Sequence, residues 1–326
     1  MVGGSLFLIY VLAAPALAAG PEPLSPKFRE AQAVVSDSQD DEARRFKFTD
    51  QGSWYLCRNA GGDVGRNHPA LDAFRRQRQG DCSDFTGATL EDADLKGAAL
   101  DGADLNYGRF GGAQLRGARL KWSDANWARF DRADLREAHA PGARFVGTSF
   151  ERADLSKAVL DGAVFVNGIL ERASLVEASL RGAEFRGARL AGARLGNADL
   201  TGATFPGADA ERASFAAADL RAADLSRMGL KGASFKAADL RASHFFETVL
   251  EETDFSRADL RGANLSRAVF KSGSFASADL RGAALGGADL KSADLTTAQL
   301  QGATYDYKTK LPFGDYKAKR LGMVKH

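Results

Sequence analysis

Large apolar residues recur along this chain at every fifth position. From Phe85 the series runs through Leu90, Leu95, Leu100, Leu105 and Phe110 and continues without a slip to Tyr305, which makes 45 positions. All are Leu, Phe or Tyr except Ala125, Ala140 and Ala210. Neither regular element explains a period of five, because a helix buries every third or fourth residue and a strand every second. Two residues before each large position stands Ala in 35 of the 45 cases. The others are Gly, Ser or Thr, with Met228 the one bulky occupant. Self-similarity this strict predicts a solenoid. Each unit turns one large side chain inward, passes a corner that admits only a small one, and leaves three positions facing out. There the sequence supplies Asp, Arg, Lys, Ser, Asn and Gly.

The number of units per coil follows from sorting the large positions. If four units close a coil, residues twenty apart share a face and stack at ~4.8 Å, the usual strand spacing. The face 100, 120 and onward to 300 then holds Leu at ten of eleven places, with Ala140 the exception and no aromatic. The face 85, 105 and onward to 305 holds seven aromatics in twelve, with Phe145, Phe165, Phe185 and Phe205 consecutive. Segregation of that kind supports a four-sided coil.

The stretch "ADLRGANL" (258–265) and its neighbours match an A-(D/N)-L-x-x consensus, and in this the sequence resembles the pentapeptide-repeat proteins over about residues 83–307. The resemblance implies an all-β fold, a right-handed four-sided β-helix; the handedness comes from the resemblance and not from the spacing. At four units per coil the repeat makes about eleven coils, roughly 50–55 Å of stacked rungs. "ATYDYKTKLPFG" (303–314) also looks like a tail seen after the last repeat in this family.

Outside the repeat the reading divides the chain into an export signal at 1–19, a flexible segment and cap at 20–82, and a basic C-terminal cap or tail at 308–326. "SLFLIYVLAAPALAA" (5–19) offers a short apolar run followed by Ala16-Leu17-Ala18, a small-x-small cleavage pattern, although no Lys or Arg precedes it. The run is too short to span a bilayer. If the chain is exported, Cys57 and Cys82, its two cysteines, are expected to form a disulfide. A solenoid needs its open ends covered. At the start, 68–84 is read as a short helix over the first coil, with Leu71, Ala73 and Phe74 on one side, making the cap partly helical. At the far end Leu311, Pro312 and Phe313 are expected to cover the last coil; residues 301–326 hold six Lys or Arg against two Asp, and this basic end is otherwise read as a solvated tail with some reach to an anionic surface.

Charge and chemistry narrow the function. The whole chain carries 44 Lys and Arg against 42 Asp and Glu, so neither nucleic acid nor an acidic surface is implied as a whole-molecule partner. His68, His139, His244 and His326 lie far apart, and no nucleophile, acid and base come together. Asp219, Asp239, Asp259 and Asp279 recur once per coil, as repeat geometry would place them. No catalytic residue, cofactor or metal ligand is assigned. One patch is less regular: Tyr107 and Trp127 are twenty apart, as are Arg109 and Arg129, with Trp122 on the adjoining face and Ala125 and Ala140 shrinking the nearby core. These five residues are the candidate surface for a partner held by stacking. The competing expectation is that the Trp rings fill space beside Ala125 or lie under the N-terminal segment. Phe246 is expected to point outward alone.

The reading is therefore an exported, non-enzymatic scaffold for a protein or envelope partner, periplasmic or extracellular, with pairing of two copies through a solenoid end left open. The resemblance implies two alternatives. Some family members mimic DNA and bind topoisomerases such as gyrase, a cytosolic role that calls for a strongly acidic rod. Others occur in the thylakoid lumen.

Overall fold

Parallel bridges join residues twenty apart along the repeat, from Asp84 with Asp104 through Ala284 with Thr304. The computed structural model describes residues 84–326, together with the strands β1 (Arg44–Phe48) and β2 (Trp54–Arg58). A twenty-residue register means that four five-residue units close each coil, as the sorted sequence requires. Most rungs are single-residue bridges. They lengthen to true strands where β3 (Val249–Glu251) pairs with β4 (Val269–Lys271), and at β5 (Thr304–Tyr305).

Every large position from Phe85 to Tyr305 is buried, and so are nearly all the small positions two residues before them. Like side chains stack on like. Phe145, Phe165, Phe185 and Phe205 form a column with centroid spacings of 5.2, 5.0 and 4.8 Å. Phe215, Phe235, Phe255 and Phe275 form a second, at 4.9, 5.1 and 5.1 Å. These spacings match the rise between hydrogen-bonded strands, so each ring rests on the one below it. Where the small position is polar, its hydroxyl turns onto a backbone carbonyl: Ser123 Oγ donates to Leu120 O at 2.8 Å and Thr148 Oγ1 to Ala125 O at 2.6 Å. A buried hydroxyl without such a partner would cost stability.

The corners are nearly all turns of one kind. The amide of the small residue donates to the carbonyl of the preceding large one, Ala88 to Phe85 at 2.9 Å and Ala118 to Leu115 at 2.9 Å. At every corner between two large positions but those of Ser292 and Thr297, the residue two after the first has positive φ, which is a type II turn. Gly fills many of these corners, yet Arg, Glu, Ala, Tyr and Trp also occupy them.

Both ends carry structure beyond the reading. Before the repeat, β1 and β2 pair antiparallel, with Phe46 opposite Leu56 and Phe48 opposite Trp54. Aromatic-rich segments either side of a polar loop favour such a hairpin, which the description of 20–82 as a flexible segment and partly helical cap did not include. Cys57 stands opposite Arg45 there; Cys82, and with it the expected disulfide, lies outside the described residues. So do the export signal and the helix expected at 68–84. After the repeat the cover expected from Leu311 and Phe313 is present, with Pro312 exposed, and the basic segment beyond them joins it instead of running on as a solvated tail. Helix α1 (Asp315–Arg320) buries Ala318, Met323 is buried, and Leu311, Phe313 and Leu321 pack against the core. Strand β6 (Val324–Lys325) then adds a parallel rung to β5. Apolar residues at these places cover the last coil.

Candidate functional site

Tyr107 and Trp127 are the large aromatics most exposed on the solenoid wall, at 63% and 55% of their surface. They occupy the same corner of successive coils, and both have positive φ, 59° in each case. Beneath them an asparagine ladder fixes the corner. The Asn126 amide N–H donates to Asn106 Oδ1 at 2.8 Å, and the Val146 N–H donates to Asn126 Oδ1 at 3.1 Å. One coil on, the corner residue is Gly147, and a Cβ built there would meet the Trp127 ring at 2.4 Å. The indole thus lies over a glycine that leaves room for it. Trp122 repeats the device on the adjoining corner: it has φ of 56° and lies over Gly142, where a Cβ would meet its ring at 2.4 Å. Trp122 is half-buried, so it contributes less open surface than Trp127.

The five candidate residues are therefore not equivalent. Tyr107 and Trp127 share one exposed column, and Trp122 belongs to the next. Neither indole belongs to the buried core around Ala125, and both rings sit on turn glycines instead; the other competing expectation, cover by the N-terminal segment, falls outside the described residues. Arg109 and Arg129 are bridge partners on adjacent rungs, and acids on either side separate their charges. Arg109 donates twice to Glu91, at 2.9 and 2.7 Å, and Arg129 pairs with Asp131 at 3.1 Å. Arg129 also lines an open groove of about 440 Å³ around Gly111 and Gly112, with Glu91, Asp92 and Asp131 among its walls. Sequence reasoning missed this groove. Its signal was the paired glycines at 111–112, set between the acidic corners at 91–92 and 131.

Elsewhere on the wall a ladder of Asp–Arg pairs runs from coil to coil. Arg221, Arg241, Arg261 and Arg281 each hold the Asp two residues earlier at 2.6 Å. The first three also reach the Asp of the next coil, at 3.8, 3.7 and 3.7 Å. Each Asp caps a backbone amide as well, as Asp219 Oδ1 does for the Arg221 N–H. The bonds from Arg221 and Arg281 hold the Asp219 and Asp279 carboxyls below their ordinary range. These aspartates are structural, as their once-per-coil spacing implied. Phe246 is not alone: the Arg267 guanidinium stands over its ring at 5.4 Å and also pairs with Glu247. His139 and His244 are exposed. Among the described residues no group of three or more His, Cys, Asp or Glu is placed to hold a metal ion, and no helix is long and apolar enough to cross a membrane.

Comparison with known proteins agrees with this architecture. The model of the pentapeptide repeats, found in eight copies, matches stretches between residues 83 and 304 that make up more than half of the chain. Among solved structures, HetL is a pentapeptide repeat protein involved in heterocyst differentiation regulation, from the cyanobacterium Nostoc sp. strain PCC 7120. It is 32% identical, with 70% of this chain and 93% of that one covered and a TM-score of 0.31. QnrB1, a plasmid-mediated fluoroquinolone resistance protein, is 21% identical, with 61% and 94% covered and a TM-score of 0.31. A pentapeptide repeat protein from the Arabidopsis thaliana thylakoid lumen is 30% identical, with 33% and 70% covered and a TM-score of 0.24. Comparison with curated proteins gives no match.

Proposed function

This chain belongs to the pentapeptide-repeat family, and from that premise we propose that it is a non-enzymatic scaffold that binds a protein or envelope partner through the corner at Tyr107 and Trp127. One observation carries the reading. Large aromatics are exposed at left-handed corners, a conformation that disfavours any side chain, while neighbouring corners of the same columns use Gly102, Gly142 and Gly147. Other left-handed corners carry Gly or residues such as Ala217, Arg152 and Glu177, and among the described residues Tyr107, Trp122 and Trp127 alone place an aromatic there. Exposed aromatic side chains flanked by Arg are the groups that dominate protein interfaces. Arg109 and Arg129 frame the column, and Trp122 supports its flank.

The reading includes export, supported by the apolar run and small-x-small pattern of 5–19, a bond between Cys57 and Cys82, and the right-handed winding of about eleven coils. The paired Asp–Arg ladder favours a scaffold over a DNA mimic, which needs uncompensated negative charge. The test is capture of partners from the native envelope by the wild-type chain and by the Tyr107→Ala/Trp127→Gly variant. The scaffold reading expects a specific partner held by the first and released by the second. Equal capture by both would remove the corner from the reading. Intact mass of the periplasmic fraction tests export separately. Loss of about eighteen residues, as the small-x-small pattern predicts, would support it, and an uncleaved cytosolic chain would sink it.

A further inference from the structure

The far end of the solenoid carries positive charge of a different kind from the wall. On the wall most arginines lie against a carboxylate, and cations without an ion pair among the described residues, such as Arg186 and Lys236, are scattered, whereas at this end they gather on one short segment. Lys310 pairs with Asp289 and Lys325 with Asp315. Lys308, Lys317, Lys319 and Arg320 make no ion pair among the described residues, and all four are exposed. Two of them stand over aromatic rings, Lys308 over Tyr307 at 5.3 Å and Lys317 over Phe313 at 5.1 Å.

Helix α1 sets the direction in which these groups face. Ala318 is its buried residue. At about 100° per residue, Tyr316 and Arg320 fall on the side opposite Ala318 and so away from the core, with Lys317 and Lys319 on the two flanks. Tyr316 and Tyr307 are 78% and 80% exposed, and Val324 is exposed beside them. The cap therefore buries one set of apolar residues and shows the solvent a second, mixed with unpaired cations.

We propose that this end is a peripheral docking surface for an anionic lipid bilayer. Lys308, Lys317, Lys319 and Arg320 meet headgroup phosphates, and Tyr307 and Tyr316 enter the interfacial layer. Clustered basic residues are drawn to anionic membranes, and tyrosine, apolar in body and polar at the tip, partitions to the same depth. A lipid surface suits the arrangement better than duplex nucleic acid. Four cations on a capping turn and a six-residue helix give no extended track of phosphates, and the exposed rings need an apolar layer to enter. The inference is independent of the Tyr107 and Trp127 corner, since it uses the opposite end of the repeat.

The experiment is flotation of the purified chain with vesicles of phosphatidylcholine alone or mixed with phosphatidylglycerol. Binding is expected to the mixed vesicles only and to fall as salt screens the charges. Lys319→Glu/Arg320→Glu should lower the bound fraction by about tenfold or more. Tyr316→Ser, with all charges kept, should lower it several-fold, whereas Arg186→Glu on the wall should leave it unchanged. Should the double reversal unfold the cap, Lys319→Gln/Arg320→Gln serves in its place. Equal binding to both vesicle types, no binding, or tighter binding to a duplex oligonucleotide than to the mixed vesicles would each overturn the proposal.

Discussion

A tryptophan with positive φ is a local cost, because an L side chain in the left-handed region loses about 1–2 kcal/mol relative to glycine. Trp127 recovers some of that by lying over Gly147. Trp127→Gly should therefore hold the thermal stability within about 1 kcal/mol of the parent chain, whatever it does to binding. A loss several times larger in a denaturation series would make Trp127 a structural residue. Gly147→Val adds a Cβ into the indole at a left-handed corner and should cost about 1–3 kcal/mol. Placing it in the Trp127→Gly background should recover part of that loss, and a double-mutant cycle reads the coupling. The five candidate residues were legible in the sequence because bulky side chains interrupt a small and charged pattern. Their unequal roles were not. Separating them needed the corner conformation and the glycine twenty residues on, and Gly142 and Gly147 were the signals available.

A coil is held by its stacked core and, on one face, by the Asp–Arg ladder. Leu180 is fully buried in the leucine column, and Leu180→Ala should cost about 2–5 kcal/mol, checked by chemical denaturation. The ladder contributes through pH. Hydrogen bonds from Arg221 and Arg281 depress the Asp219 and Asp279 carboxyls in the folded chain. Their stabilisation is complete above the unfolded carboxyl value of about 3.9 and is lost as pH falls through the lower folded values. The thermal midpoint should stay flat from roughly pH 7 to pH 5 and fall below about pH 4. Arg221→Gln/Arg281→Gln should start lower at neutral pH and fall less in acid; an unchanged acid slope would dismiss the ladder as a stabilising device. The same wall shows why the repeat was readable and the ends were not. Forty-five positions in one phase leave a single arrangement, whereas a six-residue helix and a two-residue strand are too short to show a period. For that reason cover of the last coil by Leu311 and Phe313 was legible, but the basic segment after them read as a tail although Ala318, Leu321 and Met323 fold it onto that coil too.

At the scale of the whole molecule, a solenoid in which each coil touches only its neighbours offers long faces and few enclosed sites. Most arginines of the wall are held by ion pairs, and the aromatic corner near the start of the repeat and the basic cap at its end are where exposed aromatic and cationic groups gather. The central claim is that the corner holds a partner. Photo-crosslinking residues placed one at a time test it most directly: at Val146, next to the Gly147 on which Trp127 lies, and at Ser256, a half-exposed wall position distant from the corner. Expressed in the native cell, the Val146 probe should yield a discrete adduct with one protein, and that adduct should vanish with Trp127→Gly while the Ser256 probe yields none. Adducts of equal yield from both positions, or a Val146 adduct indifferent to Trp127→Gly, would contradict the account.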